Sequence, residues 1–470
     1  MLLATFRGNE HRFIGAPRPA TGAGWRRGAA ITAGFAALLL AAVPGASAQT
    51  IQEAMESAYA NNPSLLAARK ELMRGDEAVA QAVAGWRPQA GVTVGGGWIK
   101  DFSGDDTATS SQSQFSTTDG PTAVLNLQAQ QPIYNFYNGP RISEAEQTVK
   151  AQRAQLRGVE QDVLLRTAAA YLDVVRVEAL LRYSIDYERA LQSSLDATRR
   201  QFDLGTVRNS SVAEAQSQYA SATAQRIDLE GTLAIARGNY ETVVGSPPAS
   251  LKMPPMPTGL PVSLDETLTN AKSNPSFVVA DRLEKAAQDG ADASAGMKLP
   301  QFALQGQVNP QSGIIMGVMT MPLYNPVLDP QLRAAKGLVG QRRQELESSR
   351  RQSQQGALSA WEDLQSAQGR IGAIEAQVNN ARIAAEGTGR EYGFGLRTVT
   401  DLLLTQAQYF QAQANLLAAQ QQMRLAAYRV LAAVGRLNAR DLGLNVELFD
   451  PKRNYDKVRN RWWGTGPDLE

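Results

Sequence analysis

Three short segments of the chain alternate between apolar and polar residues, as β-strands with one apolar face do. In residues 122–130 one parity is Ala123, Leu125, Leu127 and Ala129, and the other parity is mostly polar. Residues 92–98 and 302–308 alternate in the same way, whereas residues 313–321 are apolar on both parities. Together, the four segments predict two β-hairpins.

Each hairpin is followed by a long segment in which proline and glycine are uncommon, residues 139–202 and residues 330–392. The first predicts a helix of roughly 60 residues, or about 95 Å at 1.5 Å per residue. Both helices are expected to end in turns, at Gly205 and Gly395, and to be followed by returning helices. The chain is therefore predicted to contain two long helical hairpins.

The chain also repeats itself. The segments around Gly205 and Gly395 align at an offset of 190, and Asn62-Pro63 aligns with Asn274-Pro275 at an offset of 212. The first copy thus holds 22 extra residues (212 − 190 = 22), in a polar loop at residues 103–120. Each Asn-Pro pair predicts a helix start, with asparagine as the cap and proline at the first helical position.

An apolar run at about residues 29–43 follows several arginines and precedes Ala46-Ser47-Ala48. This pattern predicts a secretory signal peptide at residues 1–48, since about 15 apolar residues are too few for a spanning helix. The remaining organisation is expected to be a first repeat at 49–245, a Pro-rich linker at 246–261, a second repeat at 262–442 and a tail at 443–470.

The composition limits the chemistry that the chain can perform. It has no cysteine and one histidine, His11, which would leave with the signal peptide. Disulfides and Cys/His zinc sites are excluded, and the commonest catalytic bases are absent, so we predict no enzyme, metal or cofactor. Residues 1–48 carry a net charge of +4 and the whole chain +2, which leaves −2 (2 − 4 = −2) and gives no electrostatic reason to bind nucleic acid.

Four strands cannot close a barrel, and open sheet edges are not tolerated in lipid. If the strands cross a membrane, several chains must share one barrel, and three chains supply 3 × 4 = 12 strands, about the size of known barrels. The predicted fold class is mainly α with a small β part: two tandem repeats, long helical hairpins, and four transmembrane strands per chain in a trimeric 12-stranded barrel. The alternative is a sheet with one face in water.

The motifs, in their order and spacing, resemble the TolC family of outer-membrane efflux and secretion proteins. The resemblance covers about residues 49–442. The matching motifs are NNPSL from Asn61, WRPQ from Trp86, QQPIYN from Gln130, QFDLGTV from Gln201 and EYGFGLRTVTDLL from Glu391. The resemblance implies a homotrimer in the outer membrane of a Gram-negative cell, with its helices forming a periplasmic tunnel. The tail from Leu448 resembles tails of type I secretion members.

In this family a tyrosine and an arginine of the second helical tip tie it to the first tip, and an aspartate ring narrows the pore. The resemblance assigns these roles to Tyr392, Arg397 and Asp401. Their first-tip partners would be Ser210 and Ser211, although aspartate is usual at the latter position. A second pore aspartate of the family is replaced by Leu404, so the ring would be single. The adaptor-docking turns would comprise Gly205, Thr206, Val207, Gly395 and Leu396.

The predicted function is a trimeric outer-membrane channel-tunnel for efflux of small molecules, type I protein secretion, or both. Its expected partners are other copies of the chain, a periplasmic adaptor, an inner-membrane pump or ABC transporter, and outer-membrane lipid. A periplasmic coiled-coil adaptor is the alternative, because long helical hairpins would suit it as well. An enzyme on a helical scaffold is a further alternative, which no catalytic group supports.

Overall fold

The computed structural model describes residues 49–100, 120–310 and 312–464 of the chain. The predicted signal peptide and residues 101–119, which hold most of the predicted loop, lie outside the described residues. Within the described ranges, no helix has an apolar stretch long enough to cross a membrane. The same ranges contain no cluster of three or more acidic, histidine or cysteine residues that could hold a metal ion.

In chain order the helices are α1 (Ile51–Asn61), α2 (Pro63–Ala84), α3 (Asn138–Asp203), α4 (Asn209–Val244), α5 (Leu264–Asn270), α6 (Pro275–Gly296), α7 (Leu328–Gly393), α8 (Val399–Ala433) and α9 (Arg453–Val458). The predicted long helices are confirmed: α3 and α7 have 66 residues each, about 99 Å at 1.5 Å per residue. α4 packs against α3, and α8 packs against α7, so each long helix and its returning helix form one hairpin.

The predicted Asn-Pro helix starts are also confirmed. Asn62 caps α2 and Asn274 caps α6, each accepting a hydrogen bond at 3.0 Å from the backbone N–H of the serine two residues later. Three of the described helices, α1, α5 and α9, were not predicted from the sequence. α1 begins with a capping box, in which Thr50 and Glu53 satisfy each other's backbone N–H groups.

The strands β1 (Gln89–Ile99), β2 (Gly120–Tyr134), β3 (Gln301–Val308) and β4 (Gly313–Thr320) form one antiparallel sheet in the order β1-β2-β3-β4. The two hairpins share one register. Gln89 pairs with Gln130 in the first, and Gln301 pairs with Thr320 in the second, at offsets of 212 and 190. The duplication seen in the sequence therefore extends to individual strand pairs.

The two faces of this sheet differ in chemistry, because neighbouring residues in a strand point to opposite sides. One face exposes apolar side chains from all four strands, among them Val92, Val94, Trp98, Leu125, Leu127, Phe302, Leu304, Val308, Ile315 and Met319. The opposite face carries Gln89, Gln128, Gln130, Gln305 and Gln307 around one depression, with Ile314 and Met316 of β4 beside them. None of the four strand sequences contains a charged residue.

The largest apolar core lies where α1, α2, α3, α4 and the end of α8 meet. Tyr171 of α3 is buried in this core, and its hydroxyl lies 2.9 Å from the carbonyl oxygens of both Gln49 and Lys252. Gln49 and Leu251 also form a β-bridge. The Pro-rich segment after α4 is thereby held against the first described residues of the chain.

The C-terminal segment packs against α2 and α3. Asn454 donates a hydrogen bond to Asp76 at 2.9 Å, and Arg459 forms a salt bridge with Glu146 at 2.8 Å. Arg87, two residues before β1, has its guanidinium 4.9 Å from the Trp462 ring centre. Burial raises the pKa of Asp76, whose second carboxylate oxygen has no hydrogen-bond partner among the described residues.

Candidate functional site

Both helical hairpins end in the same kind of turn. Gly205 and Gly395 adopt φ angles of 73° and 74°, as predicted for left-handed positions at these turns. In each turn the N–H of the residue after glycine bonds to a carbonyl five positions back, Thr206 to Gln201 and Leu396 to Glu391, both at 2.9 Å. This arrangement satisfies carbonyl groups at the helix end and reverses the chain within a few residues.

The two turns expose apolar side chains. Leu204 is 78% exposed, Phe394 is 81% exposed and Leu396 is 74% exposed, so none of them contributes to the core of the chain. Thr206 is exposed, and Val207 is partly buried. Hydrophobic side chains of this size, gathered at the ends of two hairpins, are typical of a protein-protein contact.

Beneath the turns, the two hairpins pack together through an apolar cluster. It contains Leu191, Leu195, Ala215, Ala222, Tyr392, Val399, Leu402 and Leu403. Further from the turns, the rings of Tyr187 and Phe410 stack with their centres 5.0 Å apart. The first and second hairpins therefore meet along a packed seam rather than at isolated contacts.

Tyr392 lies at this seam and joins the hairpins by hydrogen bonds. Its hydroxyl donates to Gln201 Oε1 at 2.9 Å and lies 2.9 Å from Thr198 Oγ1. Both partners belong to α3. Within the described residues of one chain, Tyr392 makes no hydrogen bond to Ser210 or Ser211, which were the partners implied by the family resemblance.

Arg397 interacts within its own tip. Its Nε donates to Glu391 Oε2 at 2.9 Å, and both side chains are about half exposed. The Glu391 carboxylate raises the pKa of Arg397 through this hydrogen bond. Among the described residues, no hydrogen bond joins Arg397 to Ser210 or Ser211. A single chain thus leaves the predicted arginine latch untested.

Asp401 forms a capping box at the start of α8. Its carboxylate accepts hydrogen bonds from the Thr398 hydroxyl at 2.9 Å and the Thr398 N–H at 3.1 Å. These bonds favour the charged carboxylate and lower the pKa of Asp401. The side chain is therefore fixed in place and remains ionised at neutral pH.

Ser210 and Ser211 occupy the matching position in the first turn of α4, but without a side-chain cap. Arg208 stands where the second tip has Thr398, and Ser211 stands where it has Asp401 (208 + 190 = 398; 211 + 190 = 401). The nearby connection between α4 and α8 runs instead through Thr400, which donates to Glu214 at 2.9 Å. The fixed negative charge of the capping box is therefore confined to the second tip.

Among the residues that join the two hairpins, sequence reasoning missed Thr198, Gln201, Glu214 and Thr400. They occupy a seam whose helices are rich in alanine, glutamine and serine. Many faces of such helices can pack closely, so composition does not show which polar side chains will meet. The duplicated tip motif pointed to Gln201 as part of a turn but not as a partner of Tyr392.

The sequence is similar to those of known outer membrane proteins. Residues 54–246 match the family described as outer membrane efflux protein. The chain is 28% identical over 434 residues to the outer membrane efflux protein BepC of Brucella suis biovar 1, covering 89% of this chain and 92% of that protein. It is 22% identical to the outer membrane protein TolC of Escherichia coli K12, with 86% of each chain covered.

A solved structure shares the fold. The outer membrane protein VceC from Vibrio cholerae superposes with a TM-score of 0.72, covering 82% of this chain and 96% of that one. The two sequences are 18% identical over this region, so the likeness concerns the backbone arrangement.

Proposed function

We propose that this chain is a TolC-family outer membrane channel, an interpretation supported by the outer membrane efflux protein match at residues 54–246 and by the likeness to BepC and TolC. Three copies form a channel-tunnel in the outer membrane of a Gram-negative cell. It exports small molecules, proteins or both. The relatives are channels, and this kinship favours a channel over a periplasmic adaptor.

The observation that carries the proposal is the open sheet. Among the described residues, β1 and β4 are its two edges, each with a partner strand on one side only. An exposed apolar face and two unpaired edges suit a sheet that is completed by other copies within lipid. Three copies supply 3 × 4 = 12 strands in one barrel, with the apolar face toward lipid and the glutamine face toward the lumen.

The helical hairpins form the periplasmic tunnel in this proposal. At about 99 Å, α3 and α7 are much longer than the roughly 30 Å hydrocarbon core of a bilayer. Their length allows the tips to reach far from the membrane toward an inner-membrane pump or ABC transporter. The packed seam between the two hairpins keeps the tunnel wall continuous near its end.

The tips act as the gate. Tyr392 holds the second hairpin against the first through Thr198 and Gln201. Three copies of Asp401 form a ring of negative charge at the narrow end, which attracts cations and repels anions. In the closed trimer, the Arg397 side chain leaves Glu391 and donates its hydrogen bond to Ser210 or Ser211 of a neighbouring copy.

The two glycine turns dock the periplasmic adaptor. Gly205 and Gly395 set the turn geometry, and the exposed Leu396 offers an apolar contact. Thr206 and Val207 complete the first turn. Binding of the adaptor at these turns separates the hairpins and opens the tunnel.

The deciding experiment is the mass of the unboiled protein extracted in detergent from purified outer membranes, with planar-bilayer conductance measured on the same sample. We expect a trimeric particle that forms small, cation-selective channels. A monomer in the soluble periplasmic fraction would overturn the proposal in favour of an adaptor.

A further inference from the structure

The internal repeat predicts which surfaces meet between copies, an inference that rests on the proposed trimer. In the chain, β2 ends the first hairpin and pairs with β3, which begins the second. In a closed ring, β4 ends the second hairpin and must meet β1 of the next copy. The repeat offsets relate the two contacts. A residue number in β2 plus 190 gives the equivalent residue in β4, and a residue number in β3 minus 212 gives the equivalent residue in β1. The observed β2–β3 pairing therefore predicts the pairing of β4 with β1 of the next copy.

The helices next to the sheet show the same incomplete pattern. α6 lies between α3 and α7 and packs against both. Its counterpart α2 packs against α3 and α9 but makes no extended contact with α7 within the chain. α2 is the counterpart of α6, and α7 is the counterpart of α3. The α3–α6 contact therefore has no extended equivalent between α7 and α2 within the described residues of the chain.

A hydrogen bond across the α3–α6 contact identifies the residues that should meet. Ser143 Oγ donates to Asp289 Oδ2 at 2.7 Å. The same positions in the missing contact are Arg333 and Glu77 (143 + 190 = 333; 289 − 212 = 77). The two residues have opposite charges, both are exposed, and neither forms a salt bridge within the described residues.

The same offsets predict the strand register between copies. Ala129 pairs with Gly306 within the chain, and the equivalent pair between copies is Met319 with Val94 (129 + 190 = 319; 306 − 212 = 94). Met319 and Val94 both belong to the exposed apolar face of the sheet. The predicted register therefore continues that face from one copy to the next, as cross-strand neighbours in an antiparallel pair require.

We propose that each copy docks β4 and α7 against β1 and α2 of the next copy in this register. Met319 lies opposite Val94 of the next copy, and Arg333 forms an ion pair with Glu77 of the next copy. The strand pair closes the sheet, and the ion pair sets the helix register beside it. The partner is thus a second copy of this chain, met through a contact of the kind that its own two repeats already make.

Disulfide cross-linking tests the strand register, because the chain contains no cysteine of its own. Opposed residues in antiparallel strands have Cα atoms about 4.5–5.5 Å apart, which is within disulfide range. The double variant Val94→Cys with Met319→Cys should yield a covalent trimer on a non-reducing gel after oxidation in outer membranes. The control joins Val94→Cys to Ile315→Cys, on the same face but about 13 Å further along β4, and should yield none.

Charge reversal tests the ion pair independently. Glu77→Arg and Arg333→Glu each place like charges together, so each should reduce the fraction of detergent-resistant trimer. The double exchange, Glu77→Arg with Arg333→Glu, restores opposite charges and should return that fraction to the wild-type level. Failure of the exchange to restore the trimer would overturn the ion pair.

The proposed register and the proposed trimer fail differently. A trimeric mass without cross-links in the Val94/Met319 variant, or with equal cross-links in the control, would overturn the register alone. A monomeric wild-type protein would overturn the trimer and the register together. If a cysteine variant does not reach the outer membrane, the charge exchange still decides whether α7 and α2 meet as proposed.

Discussion

The hydroxyl groups of Tyr392 and Thr198 lie 2.9 Å apart, and both side chains are buried where the second helical hairpin meets the first. Tyr392 is therefore a tie between two hairpins as well as part of their apolar seam. In a channel that opens by separating these hairpins, its hydroxyl stabilises the closed arrangement.

Replacement of Tyr392 by phenylalanine should favour the open state. The change removes the hydrogen bonds to Thr198 and Gln201 but keeps the buried ring. Each lost hydrogen bond should destabilise the closed arrangement by about 0.5–1.5 kcal/mol. We expect more frequent or larger openings of single channels in planar bilayers. Tyr409→Phe is the control, because Tyr409 lies on the other helix of the same hairpin, α8, and makes no hydrogen bond within the described residues. Equal behaviour of the two variants would contradict the assigned tie.

Asp401 should set the charge selectivity of the channel. Asp401→Asn removes three negative charges from the trimer, so the permeability ratio of potassium to chloride should fall. Asp401 also caps α8 through Thr398, and a gating defect could imitate a selectivity change. Thr398→Ala separates the two effects, because it breaks the cap and keeps the charge. Selectivity that persists in Asp401→Asn would rule out the ring.

The same carboxylate predicts a pH dependence. The hydrogen bonds from Thr398 lower the pKa of Asp401 below its usual value. Its charge is therefore present at neutral pH and is lost only as the pH falls through that lowered pKa. Cation selectivity should persist at pH 5 and decline only below the ordinary carboxyl range, near pH 4. Reversal potentials measured along a pH series would show this, and a decline between pH 7 and 6 would point to another group.

Gly205→Ala should destabilise the first tip. Its φ of 73° places a Cβ in the left-handed region, which costs about 1–2 kcal/mol for a residue with a side chain. We expect a lower melting temperature and weaker binding to the adaptor. The control is Gly393→Ala, at the end of α7, where an added Cβ meets no atom within 4 Å and φ is not positive. That variant should be neutral or slightly more stable.

Asp76 predicts an opposite pH effect at the other end of the chain. Burial raises its folded pKa above the unfolded value, so its stabilising contribution is full below the unfolded pKa and is lost as pH rises through the folded pKa. At neutral pH, Asp76→Asn should raise the melting temperature by a few degrees at most. The gain over wild type should shrink as the pH is lowered toward 4. A gain that stays constant with pH would mean that charge is not its cause.

The sequence predicted most of the helical framework because the signals were local. Asn62 and Asn274 mark helix starts, and Gly205 and Gly395 mark turns, each through the chemistry of one or two residues. The strand pairs were also predictable, since period-two alternation and the repeat offsets agree. The sequence does not predict α1, although its capping box is visible at Thr50, because α1 ends at Asn61, directly before the Asn-Pro start of α2, and no turn residues separate the two helices.

The contacts between hairpins were not predictable. The motif predicts a gate role for Tyr392, but its partners Thr198 and Gln201 depend on how the end of α7 packs against α3. Small side chains allow several such packings, and the sequence does not distinguish them. The roles of Arg397, Ser210 and Ser211 depend in addition on a neighbouring copy, so they remain predictions.

The glutamine face of the sheet has a consequence for export. In the proposed barrel, a solute passing over Gln128, Gln130, Gln305 and Gln307 meets amides that can both donate and accept hydrogen bonds, but the strands present no fixed charge. Such a lining neither traps nor repels an ionic passenger, and it can exchange its contacts with water at little cost. The transmembrane part of the pathway would then be a passive pore. Substrate selection and the direction of transport would both be determined before the substrate reaches the membrane.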